Sequence, residues 1–158
     1  MIQRKQVTKE KAIPKIRHYC GYQERSHSEV REKLYSMGLW KKDVEEIIAQ
    51  MIEEKYLDEE RFARLFAAGK FRQKHWGRVK ITYELKQRQV SAYCIKKAIE
   101  QINEDDYGRS LEKLAFSKWK ILKAEKNIFI KKRKLHDYLL QKGYEYDLIK
   151  KVMPAPDF

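Results

Sequence analysis

The sequence predicts an all-α protein arranged as an array of three helical repeats. The main observation is an apolar ladder that occurs three times, at successive spacings of 51 and 54 residues. All of its positions hold apolar or aromatic side chains: Val30, Leu34, Leu39, Val44 and Ile48; Ile81, Leu85, Val90, Ile95 and Ile99; Leu135, Leu139, Tyr144, Ile149 and Met153. A repeat near 50 residues is typical of helical arrays, in which each unit buries its apolar face partly against the next.

The composition supports the same fold class. Hydrophobic residues make up 42% of the 158-residue chain, which excludes a compositionally disordered protein. Three Pro and six Gly are few, as expected for helices with short connections. Val and Thr are sparse beside Lys, Glu, Leu, Ile and Ala, which disfavours a strand-rich fold. With 37% charged residues and a mean hydropathy of -0.80, the chain is expected to expose much hydrated surface.

The first repeat is predicted over residues 12–57, after a flexible basic arm at 1–11. Pro14 suits the first turn of a helix that runs to about Arg25. Ser26 and Glu29 have capping-box spacing, with Ser28 as a rival cap for the short helix that follows. Gly38 provides a left-handed stop. A third helix over 41–55 is expected to turn the following residues inward: Val44, Ile47, Ile48, Met51 and Ile52.

The second repeat is predicted over residues 58–104. Asp58 can cap its first helix, Gly77 separates that helix from one at 78–88, and Ser91 can cap the last helix at 92–102. The first helix is expected to carry four large side chains inward: Phe62, Leu65, Phe66 and Phe71.

The third repeat is predicted over residues 105–153, and an acidic connector is predicted at 103–106, across its boundary with the second repeat. Its first helix should bury Leu111, Leu114, Ala115, Trp119 and Leu122. Two shorter helices follow, around Leu135 and Leu139 and around Leu148 and Val152. Pro154 and Pro156 end helical structure, leaving a tail at 154–158. Each repeat is thus one longer helix followed by two shorter ones.

The net charge of +13 predicts an anionic partner. The charge rises along the chain, from +2 over residues 1–58 to +4 over 59–106 and +7 over 107–158. Nucleic acid and an acidic protein surface are the two candidate partners. The alternative is that the cations only keep the protein soluble.

Several classes of function are disfavoured. The sequence has no glycine-rich phosphate loop, nucleophile elbow or His-Glu-x-x-His spacing, so neither an enzyme, nor a cofactor, nor a metal site is predicted. Cys20 and Cys94 each lie among apolar neighbours, which favours buried reduced thiols over a disulfide. No signal peptide and no apolar run of ~20 residues is evident, so we expect a cytoplasmic protein without a membrane partner.

The strongest local signal is residues 70–80, KFRQKHWGRVK, which hold five basic residues and no acid. This segment, with Phe71 and Trp76 interleaved, could grip phosphates or an acidic groove, Trp76 adding a stacking face. Alternatively, Phe71 and Trp76 pack at a seam between repeats while the cations are hydrated. The two interpretations are compatible, because Lys and Arg side chains can cover buried aromatic rings with their aliphatic stems. A second basic run, Lys131-Lys132-Arg133-Lys134, is most simply an exposed helix face, with nucleic-acid contact as the alternative.

Three segments resemble the RecX regulatory proteins of bacteria. They are RSHSE at 25–29 followed by Leu34 and Gly38, YLDEERFA at 56–63, and KHWGRVKI at 74–81. The likeness covers about residues 12–153 and is weakest in the third repeat. Many relatives have Pro directly after the glycine of the third segment, whereas this chain has Arg78.

The resemblance implies three tandem three-helix repeats in an elongated, curved array. It also implies a non-enzymatic, monomeric regulator that binds the filament of the RecA recombinase on single-stranded DNA. Such regulators hinder filament growth and suppress ATP hydrolysis, strand exchange and coprotease activity. The alternative is a basic helical-repeat protein that binds single- or double-stranded DNA directly. The candidate binding residues are Arg25, Arg61, Arg72, Lys74, Trp76, Arg78, Lys80, Lys131, Lys132 and Arg133.

Overall fold

The computed structural model describes residues 7–154, and within that range the chain is helical with no strand. The all-α prediction is therefore confirmed. The helices are α1 (Lys9–Tyr22), α2 (His27–Ser36), α3 (Lys41–Glu53), α4 (Glu59–Lys74), α5 (Arg78–Gln87), α6 (Ala92–Glu100), α7 (Glu104–Ile121), α8 (Ile128–Gln141) and α9 (Tyr146–Val152), with a 3-10 turn at Leu122–Ala124. In each group of three, the first helix is the longest, as expected.

The chain divides into two compact units. The first unit contains the chain up to Phe66 together with Leu85–Lys97, and the second contains Ala67–Glu84 together with the chain from Ala98 onward. Helices α4, α5 and α6 each contribute residues to both units. The repeat boundaries after residues 57 and 104 stay predictions, although α7 begins at Glu104, one residue before the second boundary.

The first helix begins earlier than the sequence predicts. The Thr8 hydroxyl accepts a hydrogen bond from the Lys11 N–H at 3.3 Å, and Lys9 is already helical. The Val7 N–H donates to the carbonyl of Met37 at 3.1 Å. The predicted flexible arm is therefore wrong for residues 7–11, while residues 1–6 lie outside the described range. Pro14 stands inside α1 rather than in its first turn, and α1 ends at Tyr22 rather than near Arg25.

The turn into α2 follows the predicted capping box. Ser26 Oγ accepts from the Glu29 N–H at 3.1 Å, and Glu29 accepts from the Ser26 N–H at 3.0 Å. Ser28 is not the cap; its hydroxyl donates to the carbonyl of Arg88 at 2.9 Å, within the same unit. Gly38 has a φ of 85°, the left-handed conformation expected of a helix-ending glycine.

The main core of the first unit is aliphatic, and the start of α4 adds the buried Phe62 to the same unit. Its buried members come mainly from α1, α2 and α3: Ala12, Ile16, Cys20, Val30, Leu34, Leu39, Val44, Ile47, Ile48, Met51 and Leu57. Cys20 and Cys94 are both buried free thiols, as predicted. Two predicted core residues are wrong, because Ile52 and Leu65 are 45% and 54% exposed on the outer faces of their helices.

Ion pairs cover the outside of this first core. Lys9 on α1 pairs with Glu46 on α3, Arg17 pairs with Glu54 at 2.7 Å, and Arg31 on α2 pairs with Glu45 at 3.0 Å. All six side chains are partly exposed, so these pairs contribute little stability.

The second unit is built mainly on α7, α8 and α9. The predicted acidic connector at 103–106 is wrong, because the Asn103 side chain accepts from the Asp106 N–H at 3.0 Å and caps α7, which begins at Glu104. Three carboxylates in the first turn suit the positive end of the helix dipole. The core of this unit includes Ile81, Tyr107, Leu111, Ala115, Trp119, Leu135, Leu139, Tyr144 and Ile149.

The apolar ladder is the best-predicted feature of the chain. All of its positions are buried except Ile99 and Met153, which are partly buried. The predicted caps Asp58 and Ser91 accept from Arg61 N–H at 2.9 Å and Cys94 N–H at 3.3 Å. Pro154 follows the end of α9, and the rest of the predicted tail, 155–158, lies outside the described range.

Candidate binding interface

The basic segment at 70–80 folds as the end of α4, a sharp turn and the start of α5. The His75 N–H donates to the Phe71 carbonyl at 3.1 Å, and the Trp76 N–H donates to the Lys70 carbonyl at 3.3 Å. His75 adopts a φ of 57°, the left-handed conformation that commonly ends a helix. The turn therefore presents Trp76 and the last cations of α4 next to the first turn of α5.

Gly77 is required by a close approach of two backbone segments in the second unit. Its N–H donates to the Lys142 carbonyl at 2.7 Å, and the Val79 N–H donates to the Gly143 carbonyl at 2.9 Å. A Cβ atom at Gly77 would lie 2.3 Å from the Gly143 carbonyl oxygen. Gly143 itself has a φ of 93°. Two glycines distant in sequence thus allow the α4–α5 turn to pair with the α8–α9 turn.

Arg78 is occupied by contacts within the second unit. Its guanidinium lies 3.9 Å from the ring centroid of Tyr107 and pairs with Glu145 at 3.0 Å and Glu104 at 2.7 Å. Its backbone N–H donates to the Tyr107 hydroxyl at 3.0 Å, which a proline could not do. Burial alone would lower the pKa of Arg78, but the Glu104 hydrogen bond and the Glu145 charge raise it above its ordinary value.

Three aromatic rings pack against one another beneath this turn. The Phe71 and Tyr107 ring centroids are 5.9 Å apart, and those of Tyr107 and Tyr144 are 5.0 Å apart. The Tyr144 hydroxyl donates to the His75 carbonyl at 3.0 Å and lies 2.9 Å from Ser110 Oγ. Tyr107 also donates to Glu145. Burial is the main cause that raises the pKa of both tyrosines, so their hydroxyls stay neutral donors. Phe71 therefore has a packing role.

Trp76 is the half-buried centre of a basic group that we call the Trp76 cluster, defined as Trp76, Lys70 and Lys80. The ammonium nitrogens of Lys70 and Lys80 lie 5.1 Å and 4.6 Å from the indole ring. Arg72 and Lys74 are exposed in the last turn of α4, where cations suit the negative end of the helix dipole. Within the segment, Phe71 and Arg78 are thus partly buried by packing, while Arg72 and Lys74 are exposed to solvent.

Lys142 belongs beside this segment, although sequence reasoning did not select it. Its ammonium donates to the Lys74 carbonyl at 3.2 Å, which adds a cation from the α8–α9 turn. No local pattern marks residue 142, because its position follows from the pairing of Gly77 with Gly143.

The predicted binding residues are divided between the two units. Arg25 and Arg61 belong to the first unit and the others to the second. The guanidinium carbon of Arg25 lies 3.8 Å from the centroid of the Tyr19 ring, whereas Arg61 forms an ion pair with Glu24 at 2.8 Å. In the second basic run, Lys131 lies 3.9 Å from the Trp119 ring, Lys132 is half-buried and Arg133 is exposed.

Neither a metal centre nor a membrane span is found in residues 7–154. No group of three or more His, Cys, Asp or Glu side chains in that range could hold a metal ion. None of the described helices is long and apolar enough to cross a membrane. What the site offers chemically is charge, hydrogen-bond donors and one partly exposed indole.

Comparison with known proteins identifies the family. The sequence patterns of the second and third three-helix domains of RecX match residues 58–99 and 104–153. "Regulatory protein RecX" of Clostridium tetani is 32% identical over 130 residues, which cover 82% of this chain and 59% of the relative. The protein of the same name from Prosthecochloris aestuarii is 28% identical over 143 residues, 90% of this chain and 91% of the relative.

A solved structure has the same fold. The crystal structure of RecX from Lactobacillus salivarius superposes with a TM-score of 0.81, covering 91% of this chain and 93% of that one at 21% identity. The chain spans little more than half the length of several curated relatives, such as 55% of the Oceanobacillus iheyensis protein. Together, the two matched domains, the helical repeat and the relatives show that this chain belongs to the RecX family of regulatory proteins.

Proposed function

We propose that this chain regulates the RecA recombinase by binding the filament that RecA forms on single-stranded DNA. Binding hinders filament extension and suppresses ATP hydrolysis, strand exchange and coprotease activity. The observation that carries the proposal is membership of the RecX family, with the second and third three-helix domains matched. The protein acts in the cytoplasm, as a monomer and without catalysis of its own.

The exposed cations supply the physical basis of the proposed binding. Arg72 and Lys74 project from α4, and the Trp76 cluster adds two lysines around an indole. The net charge of +13 steers the chain toward an anionic, DNA-loaded surface. Several modest contacts made by one chain along a repeating polymer sum to useful affinity. A bound regulator then blocks the addition of subunits or holds neighbouring subunits in one geometry.

The decisive experiment titrates the protein into RecA that hydrolyses ATP on single-stranded DNA. Inhibition is expected at protein concentrations well below those that coat the DNA alone. Absence of inhibition at such concentrations would refute the proposal.

Matched variants test which surface acts. R72E/K74E should raise the concentration for half-maximal inhibition several-fold, because two exposed contacts become repulsive. The control K41E/K42E makes the same charge change on exposed α3 residues and should inhibit like the wild type. Arg78 is left out because reversing it would break its pairs with Glu104 and Glu145. Equal inhibition by both double variants would exclude the α4 surface.

Direct DNA binding is the second candidate, favoured by the exposed face of α8 that carries Arg133. Binding through phosphates loses affinity steeply with salt, because counterions are released. The contrary outcome is inhibition found only at protein concentrations that saturate DNA without RecA, with the same salt dependence for inhibition and for DNA binding. That result would make direct DNA binding the better description.

A further inference from the structure

A groove between α1 and α2 in the first unit gathers cations and tyrosine rings. It has a volume of about 660 Å³, within the range of small-ligand sites. Its polar and aromatic lining comes chiefly from Lys15, His18, Tyr19, Tyr22, Arg25 and Lys33. No acidic side chain of the described range lines it.

Six cations in and between α1 and α2 fall into two groups. On one side, Lys9 and Arg31 pair with carboxylates of α3, and Arg17 pairs with Glu54, the residue that follows α3. Lys15, Arg25 and Lys33 line the groove and take no part in those three ion pairs. Glu29 and Glu32 are near enough to act on the charge of the Tyr19 hydroxyl, but neither carboxylate lines the groove. The three cations that share this concave surface repel one another, and an anion bound among them would relieve that repulsion.

The aromatic side of the groove is fixed in place. The Arg25 Nε donates to the Tyr19 carbonyl at 3.1 Å while its guanidinium lies 3.8 Å from the Tyr19 ring. Burial raises the pKa of Tyr19, so this phenol adds no negative charge at neutral pH. Tyr22 is 77% exposed, and no ring or cation in the described part of the chain covers it. Its ring face is available for stacking.

We propose that this groove binds a nucleotide unit, with the base stacked on Tyr22 and the phosphate held by Lys15 and Lys33. A flat ring beside convergent cations is the combination that binds single-stranded nucleic acid. A free nucleotide offers the same chemistry. The inference does not rest on the proposed function, because its test contains no recombinase.

The test measures fluorescence anisotropy of dye-labelled thymidine tetranucleotide with the full chain. Y22A should weaken binding roughly fivefold or more, since stacking on an aromatic ring contributes ~1–3 kcal/mol per base. Y22F should bind like the wild type. K15Q/K33Q should reduce the slope of log affinity against log salt by about 0.7 for each phosphate that is no longer neutralised. K41Q/K42Q, with the same reduction of charge on α3, is the control. A melting scan of each variant checks that it is folded.

Further ligands identify the source of the nucleotide and can overturn the proposal. ATP that binds with the same dependence on Tyr22, without tetranucleotide binding, would support the site with a free nucleotide as its ligand. An abasic strand that binds as tightly as the tetranucleotide would overturn the stacking contact. A polyglutamate peptide that displaces the tetranucleotide, and binds Y22A as tightly as wild type, would overturn the proposal. The ligand of the groove would then be an acidic peptide. Equal binding by Y22A, K15Q/K33Q and the control would remove the site altogether.

Discussion

The third position of the apolar ladder holds different side chains in the two units. The first unit has Leu39 and Val90 there, whereas the second has Tyr144, whose hydroxyl donates a hydrogen bond to the His75 carbonyl. The core that α1, α2 and α3 form is aliphatic with ion pairs on its outside, whereas the second unit places aromatic rings, a guanidinium and carboxylates around Tyr107. A repeated apolar pattern therefore specifies burial, while polar partners decide which turns meet.

The largest effect is expected from a cavity in the aliphatic core. Leu34 is fully buried, so L34A should lower the free energy of unfolding by about 2–5 kcal/mol, measured by urea denaturation. L65A is the control, because Leu65 is 54% exposed and its truncation should cost little. Equal losses for the two variants would contradict the assigned core.

The next effect concerns the glycine contact in the second unit. G77A should destabilise by about 1–3 kcal/mol, since the added methyl would overlap the Gly143 carbonyl and force the turns apart. G108A is the matched control, because Gly108 lies inside α7 with nothing within 4 Å of its Cβ position. That change should raise stability by up to ~1 kcal/mol. A thermal melt in which G77A is neutral would show that the turns do not pair.

A comparable effect is expected from the hydroxyl of Tyr107. Y107F removes the donor to Glu145 and the acceptor for the Arg78 N–H, and should cost about 1–3 kcal/mol at pH 7. Y83F is the control, because Tyr83 is 59% exposed.

The Tyr107 difference should also depend on pH. Burial raises the pKa of Tyr107 above its ordinary 10.0, so the unfolded phenol ionises first as the pH rises. The stabilisation is complete below pH 10 and declines above it. The gap between wild type and Y107F should therefore narrow above pH 10, and a constant gap would contradict the buried neutral phenol.

The smallest effect is expected from the surface ion pairs of the first unit. E54Q removes the partner of Arg17, whose side chain is 38% exposed. The melting temperature should change only slightly, and the change should vanish in high salt. A large loss that survives high salt would show that this surface pair supports the first core.

Local patterns predicted the ladder, the capping box at Ser26 and the caps Asp58 and Ser91, because each depends on neighbours within a few residues. They did not predict that Arg78 pairs with Glu104 and Glu145, or that Gly77 needs Gly143. Those partners lie far along the chain and meet only after α7, α8 and α9 have packed. The polar segment at 103–106 is predicted as a connector because it has no apolar residue. Its three acids instead form the first turn of α7, where carboxylates are favoured by the helix dipole.

The middle helices carry a consequence for dissecting the molecule. Helices α4, α5 and α6 each belong partly to one unit and partly to the other. The boundaries of the compact units therefore do not coincide with the boundaries of the sequence repeats. Deletion of the central repeat, residues 58–104, would therefore remove residues from both compact units and not one self-contained module. A fragment trimmed at Phe66 would likewise lack Leu85–Lys97, so a minimal first unit has to be reassembled from two separate stretches.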